Sequence, residues 1–417
     1  MTRAWHNVCI VVTQEQKRAT CRCLFEEEDS LTFGDYTVFF PILLLVAWLA
    51  GEVSHGFGIP RIVLYGICGL AAGIVFHTLP ADEIPDLTAM ADAAMGLLLF
   101  EIGYRLNPTW LLRKPSVVLV CLVESILTFL TVFACCSAFS IQLDKSLAIA
   151  AICIATSPGA VLQIVRDKQS SGQVTNLLLT FSALSCLTSI LVFKLISGLF
   201  LLYEPHGEAV PGAILWMLGV STVFGILAAG FLHTVDRTVK FSEEAKAFAI
   251  AMFTICLAIL LHRMQLSPAL GCIVFGLSIR KSGMKVTGKF QDFGSLGRLS
   301  VLFLFVYLSS RLDARDLLLG LPAGVCIVFV RTVVKTFTPL QFATTLGCGK
   351  RKALLVGIGM WPVSAFAMAM LEQGRNIGVD LLDSCPPLIT VIALLEILGP
   401  IATSVAVDRS REVTQER

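Results

Sequence analysis

Apolar stretches of about twenty residues recur along the chain, separated by short polar connections. Thirteen of them fall near 37–55, 60–78, 87–104, 116–139, 146–165, 174–203, 211–233, 245–262, 267–280, 296–310, 317–345, 352–371 and 386–407. An α-helix rises 1.5 Å per residue, so about twenty residues cross a hydrocarbon layer of about 30 Å. The runs are continuously apolar and do not alternate, which predicts helices and excludes a membrane β-barrel. The expected fold is therefore an all-α polytopic membrane protein with about 13 transmembrane helices. Residues 1–35 are polar, mixed in charge and end in EEEDS, without the basic–apolar–small order of a secretory signal. They read as a disordered tail, or as translation begun ahead of the natural start. The membrane domain is expected over 36–407 and a short C-terminal tail over 408–417.

Composition sharpens this picture. Hydrophobic residues make up 56% of the chain and charged residues 15%, and the mean hydropathy is +0.80. A soluble chain of this length needs more charge to cover its surface. The net charge of +2, with no dense basic run, gives no reason to expect a nucleic-acid partner. Most of the 14 cysteines stand singly inside apolar spans (Cys68, Cys121, Cys153, Cys256, Cys272, Cys326). They read as small packing residues, and no metal-ligand spacing appears beyond the weak pair Cys21 and Cys23. No nucleophile elbow or phosphate loop is present. Neither metal nor cofactor is expected, and the chain does not read as an enzyme.

Charge in the connections orients the spans. With thirteen crossings the loops alternate sides. One side collects Arg113, Lys114, Arg166, Lys168, Arg237, Lys240, Arg280, Lys281, Lys285, Lys289 and Lys350 to Lys352, and also the tail with Arg409 and Arg411. The other has scattered cations such as Lys145, Arg263, Arg315 and Arg375. The positive-inside bias places the C-terminus in the cytoplasm and the N-terminus outside, with the plasma membrane as the expected location.

Two spans are interrupted. Residues 151–167 read AICIATSPGAVLQIVRD, with Pro158 and Gly159 after two hydroxyl residues; residues 354–370 read LLVGIGMWPVSAFAMAM, with Gly359 and Pro362 in the middle. Proline removes a backbone donor and clashes with the preceding turn. Lipid cannot satisfy the polar groups this frees, so such breaks must face protein or water. If the seventh span is a linker, spans 1–6 and 8–13 form two six-helix halves, and each break lies in the fifth member of its half. Seven crossings separate them, so the two segments run in opposite directions. This is the pattern of two inverted six-helix repeats with crossed discontinuous helices, whose half-helix ends offer partial charges to an ion.

The motif ATSPGAVL (155–162) resembles the fifth-span motif of the monovalent cation:proton antiporter superfamily, in particular its glutathione-gated potassium-efflux-like branch. GFGIPRIVLYGICGLAAGIVF (56–76), LLLFEIGYRLNPTWL (97–111), LSPALGCIVFGLSIR (266–280), FVRTVVK (329–335) and LEILGPI (395–401) resemble further segments of that branch, in order. The resemblance covers about residues 36–407. It implies a sodium or potassium:proton antiporter, a homodimer in the lipid bilayer, in which a mobile core (about 116–203 and 317–407) moves against a dimerisation bundle. One departure stands out. The sixth-span aspartate that binds cation and proton in the superfamily is replaced in FSALSCLTSILVF (181–193), where Ser185 and Cys186 stand at its place; Ser157 stands where many exchangers have a fifth-span acid.

Intramembrane ionisable residues are the remaining candidates, because their burial is costly. Arg331 matches the family's core cation and lies one turn before Lys335. Glu124 and Glu396, in the fourth and thirteenth spans, are expected to pair with Arg331 or to carry the proton. Thr156, Ser157, Ser185 and Thr188 offer neutral oxygens to an alkali cation, or bond their own backbone. Glu101 and Arg105 read as a simple one-turn helical pair. Lys194 reads as snorkelling, and His77, His233 and His262 as interfacial. Two alternatives to antiport stay open: a carrier of another solute, such as an anion, on the same fold, and a degenerate exchanger acting as a sensor or partner subunit.

Overall fold

A computed structural model of the chain describes residues 33–75, 85–106, 109, 113–201, 211–264, 266–284, 294–312, 314–363 and 385–413. Nearly all of the tail expected over 1–35, and residues 364–371 of the twelfth expected span, lie outside these. The first helices are α1 (Phe33–Gly56), α2 (Arg61–Val75), α3 (Pro85–Arg105) and α4 (Pro115–Ala138). The first interrupted segment forms α5 (Leu143–Ile154) and α6 (Pro158–Asp167), followed by α7 (Gln173–Leu201). Then come α8 (Pro211–Val239), α9 (Glu243–Arg263), α10 (Pro268–Lys281), α11 (Gly294–Ser309) and the short α12 (Ala314–Leu319). The last are α13 (Leu321–Gln341), α14 (Lys350–Gly359) and α15 (Pro386–Ser410). Contacts divide the chain within α1, after Leu45, and the contacts described below are internal to Val46–Arg417.

Helix thus falls on every expected apolar segment. Seven stretches among the described residues are long and apolar enough to cross a membrane: α4, the combined Leu143–Asp167, and most of α7, α8, α9, α13 and α15. Phe39–Ser54, Arg61–Ile74 and Leu296–Ser309 are apolar but shorter. Proline opens α4, α6, α10 and α15, where its missing N–H is no loss. Serine side chains cap α6, α9 and α10 by accepting from the N–H groups of Ala160, Ala245 and Leu270.

Two sets of helices pack among themselves. In one, α3 lies against α9, α10 and α11, and α11 against α2; in the other, α4, α5, α7, α13, α14 and α15 pack on one another. From the second set α4, α7, α14 and α15 share with α6 a buried cluster that includes Val117, Val161, Ile164, Phe181, Val356 and Ala406. Close approach in the first set depends on missing side chains. A Cβ at Gly69 of α2 would lie 2.5 Å from the carbonyl oxygen of Val306, and one at Gly73 2.5 Å from that of Ser310. Such small residues let membrane helices meet at backbone distance.

Gly69→Ala is expected to destabilise the full-length protein by about 1–3 kcal/mol, because the obstacle is backbone and cannot rotate away. Gly230→Ala, in α8 with nothing within 4 Å of the added carbon, is expected to be neutral or slightly stabilising. Thermal unfolding of both variants in one detergent checks the contrast.

Candidate functional site

The first break follows from its sequence. Pro158 disfavours helical geometry in the residue before it, and Ser157 is extended (φ −64°, ψ 106°), as is Ala155 (φ −60°, ψ 140°). Pro158 and Gly159 then open α6. The second segment stops being helical after Gly359, with Met360 at its C-terminal cap and Pro362 just beyond.

The two breaks meet. The Ser157 N–H donates to the carbonyl of Pro362 at 2.7 Å. Thr156 Oγ1 donates to the carbonyl of Met360 at 3.1 Å, and the Thr156 N–H donates to Ser185 Oγ at 3.2 Å. From α15, Thr403 Oγ1 donates to the carbonyl of Gly359 at 3.0 Å. Gly399 lets α15 reach the second break, since a Cβ there would lie 2.5 Å from Pro362 Cα.

Two cations of α13 complete the junction. Arg331 is fully buried and spans both breaks: its Nε donates to the carbonyl of Cys153 at 2.9 Å, Nη2 to that of Ala155 at 2.7 Å and Nη1 to that of Trp361 at 2.7 Å. Lys335 Nζ donates to the carbonyl of Ile154 at 2.9 Å and to Glu124 Oε1 at 2.7 Å. Both cations therefore sit at the C-terminal end of α5, where unpaired carbonyls and the helix dipole concentrate negative potential. Glu124 Oε1 also accepts from Thr128 Oγ1 at 2.9 Å. Its other oxygen, Oε2, is buried without a hydrogen-bond partner among the described residues.

The candidates thus separate. Thr156, Ser157, Ser185, Arg331, Lys335 and Glu124 come together at or beside the breaks. Among the described residues Thr188 does not join them by a hydrogen bond; its hydroxyl donates to the carbonyl of Leu184, one turn back in α7. The expected pairing with Arg331 is corrected. Arg331 is held by carbonyls, and Glu124 pairs with Lys335 instead, because the α4–α13 contact brings position 335, not 331, opposite position 124. Glu396 pairs with neither. It is 4% exposed and points toward α2, where a Cβ on Gly66 would lie 3.0 Å from its Cγ.

Two further readings change. Glu101 and Arg105 do form a helical pair at 3.0 Å, but Glu101 is buried and also pairs with Arg166 at the end of α6. Beside them Arg61 of α2 bonds Asp167 at 3.2 Å. Lys194 is buried, 5% exposed, and does not snorkel. His262 Nδ1 lies 2.8 Å from Asp92 of α3. Arg166 was legible only as one of several loop cations, and no one-dimensional signal links it to Glu101, 65 positions earlier.

Removing one member of a buried ion pair leaves the other uncompensated. Lys335→Ala is expected to destabilise the protein by about 3–5 kcal/mol, and the double variant Lys335→Met with Glu124→Leu to recover most of that. A double-mutant cycle on unfolding in detergent measures the coupling.

Comparison with known proteins places this arrangement. Residues 42–408 match the family model "Sodium/hydrogen exchanger, transmembrane". The fold is similar to that of the sodium proton antiporter MjNhaP1 from Methanocaldococcus jannaschii at pH 8, with a TM-score of 0.64 and 17% identity over 89% of this chain and 95% of that one. An electron-microscopy structure of the same antiporter gives a TM-score of 0.69 and 14% identity over 93% and 100% of the two chains. No curated protein matches the sequence. With nearly the whole helical region matched by one family model, the chain belongs to the sodium/hydrogen exchanger family, multi-pass membrane transporters that exchange a cation for protons.

Proposed function

We propose that this chain exchanges sodium or potassium for protons by alternating access, and that Glu124 and Lys335 are the exchanging pair. The carrying observation is the half-used carboxylate: Glu124 Oε1 is held by Lys335 and Thr128, while Oε2 is buried and without a hydrogen bond among the described residues. A single buried carboxylate balances one positive charge at a time. The Lys335 ammonium, an incoming cation and a proton therefore compete for it, and this competition takes the place of the one the superfamily assigns to its sixth-span aspartate. Arg331 holds the carbonyls of both breaks throughout the cycle and keeps the site assembled. Thr156 Oγ1 supplies a neutral oxygen beside it; Ser157 Oγ and Ser185 Oγ already accept from the N–H groups of Ala160 and Thr156 and have a weaker claim. Glu396 stands apart from the exchange.

The same reading takes the chain as a thirteen-span protein built from two inverted halves, working as a homodimer in the plasma membrane. The C-terminus is cytoplasmic and the N-terminus outside. Clustering of cationic helix ends supports this orientation: Lys168, beyond α6, contacts Asp408 of α15 at 2.6 Å, and Lys352 of α14 approaches Glu412 at 3.8 Å. Basic residues gathered at one end of several helices mark the cytoplasmic side.

The test is proton flux in proteoliposomes that hold the purified full chain, with an imposed pH gradient and pulses of sodium, potassium or lithium. A cation-dependent collapse of the gradient is expected, absent in Glu124→Gln and retained in Glu396→Gln. Proton movement with none of the three cations overturns antiport. Loss of flux in Glu396→Gln with retention in Glu124→Gln overturns the choice of carboxylate.

A further inference from the structure

We propose that Cys135 of α4 and Cys326 of α13 are a site of reversible disulfide formation at the non-cytoplasmic end of the α4–α13 contact. Their Sγ atoms lie 3.4 Å apart, although 191 positions separate them in the chain. A disulfide bond is about 2.05 Å long, so the sulfurs need to approach by about 1.4 Å, within reach of side-chain rotation and small helix adjustments.

The contact is set by the same helix pairing that builds the exchange site. From Glu124 to Cys135 is an advance of eleven residues along α4, about 16 Å; from Lys335 back to Cys326 is nine along α13, about 14 Å. Two antiparallel helices that pair Glu124 with Lys335 bring positions 135 and 326 to a similar height, and there the two sulfurs meet at 3.4 Å. The thiol pair and the buried ion pair are thus two contacts between the same two helices, and the packing that holds one limits how far the other can separate.

Position supplies the chemistry. Cys135 lies three residues before the end of α4 at Ala138, and Cys326 five residues after the start of α13 at Leu321. That is about 5–8 Å inside the helix ends. Cys135 is 9% exposed and Cys326 is partly exposed, whereas the adjacent Cys136 is fully buried. These ends lie opposite Lys114 and Lys350, and on the orientation proposed above they face the oxidising side of the membrane, where disulfides persist. A small-molecule disulfide is the oxidant. A thiolate of the pair attacks one of its sulfurs and releases one small thiol. The second protein thiol, losing its proton, then displaces the other small thiol and closes the Cys135–Cys326 bond. Two protein thiols are oxidised and one external disulfide is reduced to two thiols.

The experiment treats the full chain in membranes with 2-hydroxyethyl disulfide, alkylates the remaining thiols with a maleimide, and maps peptides by mass spectrometry without reduction. A linked peptide joining Cys135 to Cys326 is expected, with two fewer maleimide adducts, reversed by dithiothreitol and lost in both Cys135→Ser and Cys326→Ser. Alkylation of both thiols, or a mixed disulfide on one that never closes onto the other, overturns the proposal. Repeating the treatment on intact cells with a charged, membrane-impermeant disulfide tests the side: linkage is expected, and linkage only with the permeant reagent overturns the non-cytoplasmic placement. None of these readouts depends on ion flux, so the outcome is separable from the fate of the antiport reading.

Discussion

A helix broken inside a membrane leaves carbonyl groups that lipid cannot satisfy, and the rest of this protein's core is arranged around that fact. The carbonyls of Cys153, Ile154 and Ala155 emerge together at the end of α5. Arg331 and Lys335 take all three, and Arg331 also takes Trp361 at the second break. Backbone to backbone, Ser157 donates to Pro362. Each break thus supplies partners to the other.

Placing two cations there creates a second requirement. Charges inside a low-dielectric interior need compensation, and the dipole end of one short helix is worth only about half a charge. Glu124 provides the rest for Lys335 from α4, and Thr128 of the same helix holds its oxygen in place. Among the described residues Arg331 has no ion-pair carboxylate; three backbone carbonyls and the planar spread of its own charge serve instead. The ion that a transporter must release cannot be one that the fold needs to stay assembled. The two cations are held differently: Arg331 by backbone carbonyls, Lys335 by one carbonyl and a carboxylate whose second oxygen has no hydrogen-bond partner among the described residues, which is the difference the proposed exchange relies on.

The helix-breaking sequences were readable because their physics is local. Proline at 158 and at 362 disfavours helix through its own backbone, although Pro339 and Pro400 stay inside α13 and α15, and an apolar run of sufficient length is a membrane helix in most surroundings. The one-turn spacing of Arg331 and Lys335 put both on one face of α13 before any fold was known. The identity of their partners was not legible. Whether Glu124 meets position 331 or position 335 depends on how far α4 slides along α13, and a shift of one turn exchanges the two answers. The hydroxyls carried still less information, since a serine that caps a half-helix and one that bonds its own turn look alike in sequence.

The sequence by itself determined the fold class, the positions of the apolar helices and breaks, and the need for polar partners at those breaks, because each follows from composition and local backbone chemistry. Only the tertiary structure decided which carbonyls the cations take, that Glu124 and not Glu396 stands beside Lys335, and that Arg166 joins Glu101, because those contacts depend on the rotation and sliding of helices packed against one another. A one-dimensional pattern records which face of a helix is apolar, but not which residue of a neighbour will lie across from it.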